Sequence, residues 1–120
     1  MAFTLIDLVN NKEYSYQSGQ ITLDTVYLDD QKLGRVILKK TSYGLIGYKE
    51  DEELKINFVL RNHELGRQTI ELKKYNSKKS SYNLIVDELN FNKEKVKLSY
   101  HLVDDSYNEL SKIKLLIKRS

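Results

Sequence analysis

Residues 54–60 read Leu-Lys-Ile-Asn-Phe-Val-Leu, and apolar side chains recur at every second position of this run. Leu54, Ile56, Phe58 and Leu60 share one parity, while a lysine and an asparagine lie between the first three. Successive side chains of a β-strand point to opposite faces of the sheet. The run therefore predicts a strand with one buried and one solvent-facing side, which is typical of antiparallel sheets.

The same alternation returns in three further segments, Ile70–Leu72, Val96–Leu102 and Ile113–Ile117. With shorter apolar runs they predict nine strands, at about residues 2–9, 20–28, 34–40, 43–48, 53–61, 67–75, 82–88, 94–103 and 111–118. Asn, Asp, Ser and Gly occupy the connections, and none of these is long enough to be an interdomain linker. The 120 residues therefore predict an all-β protein, with residues 1–120 forming a single-domain antiparallel β-sandwich of about eight to nine strands. A small β-barrel is the alternative.

Residues 106–118 allow a second interpretation. A C-terminal helix could begin at Ser106, because Leu110, Ile113 and Ile117 also recur at helical spacing. Lysines alternate with apolar residues three times in this segment, and that alternation favours a strand.

Two glycines and a short repeat mark the middle of the chain. Gly44 and Gly47 lie inside an apolar strand, where glycine indicates a bulge or a close approach of the backbone to another group. Residues 42–46 and 81–85 match at four of five positions. Shared hairpin chemistry and duplication of a hairpin unit both explain this likeness, because the candidate units are unequally spaced.

The composition argues against a catalytic site, a disulfide or a metal centre. The chain has no cysteine, which excludes disulfides, thiolate nucleophiles and cysteine-based metal sites. Its two histidines, His63 and His101, fit surface positions, and no nucleophile elbow, zinc-binding helix or phosphate-binding glycine loop is present. The acidic pairs at 29–30 and 104–105 are ordinary turn residues rather than calcium ligands. We therefore predict no catalytic residue, metal or cofactor, and no enzymatic activity.

Charge is distributed unevenly along the chain. Residues 1–60 carry 7 basic and 9 acidic side chains, whereas residues 61–120 carry 13 basic and 8 acidic ones, so the net charges of the halves are −2 and +5. Lysines and tyrosines cluster in the second half, a combination that can bind unpaired nucleic acid. The candidate binding surface comprises Lys73, Lys74, Tyr75, Lys78, Lys79, Tyr82, Lys93, Lys95 and Lys97.

These features favour a non-enzymatic module that binds a protein partner or associates with itself. Such a module fits a structural or accessory component, for example of a phage or mobile-element assembly, or a small inhibitor protein. A nucleic-acid-binding β domain is the alternative. The sequence shows no export signal and no apolar run long enough to cross a bilayer. We therefore expect a cytoplasmic protein, or one carried in a particle assembled in the cytoplasm, without membrane contact.

Overall fold

One antiparallel sheet of eleven strands curls into a nearly closed barrel. The computed structural model describes residues 2–74 and 78–120, with the backbone alone for Lys78. The strands are β1 (Phe3–Asp7), β2 (Lys12–Tyr16), β3 (Ser18–Ile21), β4 (Thr25–Asp30), β5 (Gly34–Lys40), β6 (Gly44–Glu50), β7 (Leu54–Arg61), β8 (Gly66–Leu72), β9 (Lys78–Phe91), β10 (Lys95–Val103) and β11 (Glu109–Arg119).

The topology is a meander with one exception. Strands β3 to β11 follow one another around the barrel, and β1 pairs with β11 so that β2 becomes the second edge. The two edges, β2 and β3, are consecutive in the chain and meet at Gln17. The Gln17 N–H donates to Asp30 Oδ2 at 3.1 Å. Asp30 also accepts from the backbone of Lys32 and Leu33, and these hydrogen bonds lower its pKa. This carboxylate therefore ties the junction of β2 and β3 to the end of β4.

Strand β9 is the longest and joins two staggered parts of the wall. Its first half pairs with β8, ending at the Gly66–Leu84 pair. Its second half, from Asn83 to Phe91, pairs with β10, with a register shift at Asp87. Such a stagger tilts the strands, and tilt is what allows a sheet to close on itself. The predicted strand at 82–88 is therefore much shorter than the real one.

The all-β prediction is confirmed, and the arrangement is the barrel alternative rather than the sandwich. An unbroken ladder runs from β2 to β3, so the described residues form no second sheet that could pack against the first. Residues 109–119 form a strand, so the alternative of a C-terminal helix is wrong. The count of eight to nine strands is too low because β2 is only five residues long with two inward side chains, Tyr14 and Tyr16, and because a turn at residues 22–24 divides the predicted strand 20–28. In the described part of the chain, no helix is long and apolar enough to cross a bilayer.

Gly47 leaves the space that an aromatic ring of the core occupies. A Cβ atom at this position would overlap the ring of Phe58 on the neighbouring strand. That ring stacks on Tyr100 with its centroid 5.6 Å away. The register of β6 with β5 and with β7 runs without a shift, so Gly47 marks a close approach and not a bulge.

Candidate functional site

The structure divides the predicted Lys/Tyr surface into two groups. Lys73 and Lys74 follow β8, and Lys79 lies at the start of β9. Lys93 lies in the turn after β9, and Lys95 begins β10. Consecutive turns of a meander lie at opposite ends of the strands, so β9 separates these lysines along its full length. Two members of the predicted surface, Tyr75 and the side chain of Lys78, lie outside the part of the chain that the structure describes.

Lys73 belongs to a hydrogen-bonded network on the outer surface of the barrel. Its Nζ lies 2.8 Å from Glu50 Oε2 and donates to the carbonyl oxygen of Asp51 at 2.7 Å. The Tyr48 hydroxyl donates to Glu50 Oε1. Lys73 and Tyr48 lower the pKa of Glu50 to about 2. Lys73 therefore ties the end of β8 to the turn between β6 and β7, and its charge is already engaged.

Lys79 ends a row of alternating charges on the outside of the barrel. Cross-strand register places an acid beside a base at each step from β4 to β9. Opposite charges at paired positions stabilise a sheet and cancel each other's long-range field. We call this row the charge ladder; it comprises Asp29, Arg35, Glu50, Lys55, Glu71 and Lys79. Tyr82 faces inward and packs against the core, so its ring does not join this surface.

The second lysine group belongs to a larger basic surface. On β10 and β11 most apolar residues point inward, and the lysines have the opposite, outward parity, which Leu116 shares. Register places Lys95 directly opposite Lys118, and His101 opposite Lys112. Nearby acids offset part of this charge, since Lys97 lies 3.8 Å from Glu88. We call this surface the lysine face; it comprises Lys95, Lys97, Lys112, Lys114 and Lys118.

A surface that was not predicted lies on the outside of β4 to β7. Tyr27, Ile37 and Tyr48 are direct cross-strand neighbours. Ile46, two residues before Tyr48 on the same face of β6, pairs with Val59 of β7. Ile46 is 42% exposed, and the other four are half-buried. We call these five residues the Tyr/Ile patch. Parity in the sequence could have revealed it, because four of the five lie beside a residue of the core and Tyr48 follows the buried Gly47.

Acidic groups and histidines of the described chain do not converge on a metal site. His101 Nδ1 lies 2.9 Å from Asp87 Oδ2 at the register shift of β9. His63 is exposed in the turn before β8. The Asp104 carboxylate accepts hydrogen bonds from the backbone of Ser106 and Asn108, which lower its pKa. Among residues 2–74 and 78–120, no three histidine or carboxylate side chains lie close enough together to hold a metal ion.

Comparison of the chain with protein-family models, with curated proteins and with solved structures gives no match.

Proposed function

We propose that this protein is a non-enzymatic binding module that engages another protein through the Tyr/Ile patch. The observation that carries the proposal is the contiguity of the patch, which cross-strand register assembles from four neighbouring strands. Tyrosine is enriched at protein interfaces because its ring supplies apolar area at low conformational cost. The hydroxyls of Tyr27 and Tyr48 donate to Asp29 and Glu50, which fixes the direction of both rings.

The surroundings of the patch support a protein partner. The charge ladder runs directly beside it, so an apolar centre is flanked by polar groups of both signs. Protein interfaces have this organisation, whereas a polyanion requires a field of one sign. The sheet edges offer less surface for a partner strand, because β2 and β3 are short and follow each other directly through Gln17. The partner would be a protein, or a second copy of this chain, with an apolar surface and a mixed-charge rim. An assembly component or an inhibitor would use such a surface.

Photo-crosslinking tests this proposal. We expect benzoylphenylalanine in place of Tyr48 to give one dominant protein adduct in native lysate, or a homodimer with the purified chain. Ile46→Lys in the same background should lower the adduct yield roughly tenfold, which corresponds to about 1.4 kcal/mol of binding energy. Because Ile46 is 42% exposed, this change leaves the core intact. The measurement is adduct yield by mass spectrometry, with unchanged thermal unfolding as the folding check.

The control crosslinker replaces Lys112, an exposed residue on β11, which lies four strands from the patch in either direction around the barrel. The same adducts from both positions would contradict the proposal. So would a strictly monomeric protein that gives no adduct from position 48.

The lysine face supports a second candidate function, binding of single-stranded nucleic acid. Five lysines on two adjacent strands can neutralise several phosphates.

We expect replacement of Lys112, Lys114 and Lys118 with alanine to weaken the salt dependence of oligonucleotide binding. The slope of log affinity against log salt concentration should fall by about 2 in magnitude, since each lost phosphate contact contributes about 0.7. Replacement of Lys73, Lys74, Lys78 and Lys79 serves as the control and should change the slope less. Binding without a salt slope, or an equal loss in both variants, would contradict this candidate.

A further inference from the structure

The inside of the barrel is packed at one end and hollow at the other. The hollow part is a cavity of about 380 Å³, with walls from eight of the eleven strands that the structure describes. It faces the end of the barrel at which β6 turns into β7 and β10 into β11. Barrel diameter grows with strand number, and barrels with about eight strands are already wide enough for side chains alone to fill. Eleven strands therefore leave space, which we call the cup.

The walls of the cup are apolar and half-buried. Ile56 and Ile70 are cross-strand neighbours on one side, and Ile113 and Leu115 follow each other along β11 on the other. At the mouth of the cup, the inward-facing positions carry polar side chains instead. Lys49 takes an inward position two residues after Gly47 and lines the cup. The volume lies in the range of small-molecule sites, roughly 300–1,000 Å³.

The most buried part of the cup carries a polar pair. Phe58, Gln68 and Tyr100 are all at least nine-tenths buried and all line the cavity. The Tyr100 hydroxyl donates to Gln68 Oε1 at 3.3 Å. Burial raises the pKa of Tyr100, so the hydroxyl stays protonated and remains a donor.

Gln68 keeps one unused donor group. No described residue accepts a hydrogen bond from its Nε2 atom. In the described chain, Thr41 Oγ1 is the one fully enclosed side-chain nitrogen or oxygen atom without a hydrogen-bond partner. Because Gln68 Nε2 also lacks an acceptor but is not fully enclosed, it must have accessible space beside it. The space that Gln68 lines is the cup. A buried donor that faces an apolar cavity is costly unless a ligand or water accepts its hydrogen bond.

We propose that the cup binds a compact, mainly apolar molecule that carries a hydrogen-bond acceptor, and that Gln68 Nε2 donates to this acceptor. The apolar body of the ligand would contact Ile56, Ile70 and Ile113, and a flat ring system would match the exposed edge of the Phe58–Tyr100 stack. This site is separate from the Tyr/Ile patch, which lies on the opposite face of the same strands.

A matched pair of probes tests the site. Quinoline and naphthalene have nearly the same shape, but quinoline carries a ring nitrogen that accepts a hydrogen bond. We expect both to bind the wild-type protein and to shift the methyl signals of Ile56, Ile70 and Ile113 in NMR spectra. Gln68→Leu should weaken quinoline roughly fivefold, the factor that one hydrogen bond of about 1 kcal/mol provides. It should leave naphthalene binding unchanged or strengthen it.

Two further variants make the result decisive. Thr69→Ala changes the outward-facing neighbour of Gln68 and should leave both affinities unchanged. Ile56→Trp fills the cup and should abolish binding of both probes while the protein still unfolds cooperatively. Equal weakening of both probes by Gln68→Leu would overturn the proposal, as would the absence of methyl shifts in the wild-type protein. Neither result bears on crosslinking from position 48, so this test and the test of protein binding can fail independently.

Discussion

Gly47→Ala is expected to lower the free energy of unfolding by about 1–3 kcal/mol, the usual cost of overpacking a core. The added methyl group would overlap the outer edge of the Phe58 ring, which lies across the backbone of Gly47. The ring cannot move toward Tyr100, which stacks against it with the centroids 5.6 Å apart, so relief of the overlap requires the ring to leave its packed position. Urea unfolding followed by circular dichroism measures the loss.

A compensating change separates this mechanism from a general loss of stability. Phe58→Leu removes the part of the side chain that meets the new methyl group, so the double variant should be more stable than the two single effects predict. We expect a coupling energy of about 1 kcal/mol or more, as for residues in direct contact. Additive effects would show that the ring does not occupy the space above Gly47. The ring also lines the cup, so Gly47→Ala should weaken naphthalene binding by displacing the ring into the cavity.

Alternation predicted the strands that have one apolar and one polar side, because burial on one face imposes a period of two. The segment at 54–60 is the clearest case, and β7 spans it with Phe58 and Leu60 buried. The same signal is too short to stand out in β2, where Tyr14 and Tyr16 face the core and the other three residues are exposed. An edge strand has one neighbour, so less of its surface is buried and its sequence is less constrained.

Strand order and closure could not be predicted from periodicity. A sandwich and a barrel place the same residues inward, and the difference lies in the stagger between neighbouring strands. Here β9 determines that stagger by pairing with β8 along one half and with β10 along the other. The residues of the predicted lysine surface lie in two groups for the same reason, since β9 separates Lys79 from Lys95. No role for Gln68 was predicted from the sequence. Its signal is a polar residue at an inward-facing position, and this residue lies in the most buried part of the cup.

The largest expected effect is at Gly34, the first residue of β5. Its φ of 86° lies in the left-handed region, which costs other residues about 1–3 kcal/mol. An added Cβ would also overlap the carbonyl oxygen of Glu50 on the neighbouring strand. We therefore expect Gly34→Ala to lower the free energy of unfolding by about 2–4 kcal/mol, from strain and from separation of β5 and β6. Urea unfolding measures this loss as well.

Gln31→Ala is the matched control, because it adds no strain in the same turn and Gln31 is exposed. It should stay within about 0.5 kcal/mol of the wild-type protein. The obstacle at Gly34 is backbone and not a side chain, so no truncation on β6 can relieve it, in contrast to Phe58 beside Gly47. Tyr48→Ala or Ile46→Ala in the Gly34→Ala background should therefore restore no stability. Rescue by either change, or equal losses for Gly34→Ala and Gln31→Ala, would show that the strain arises elsewhere than at the junction of β5 and β6.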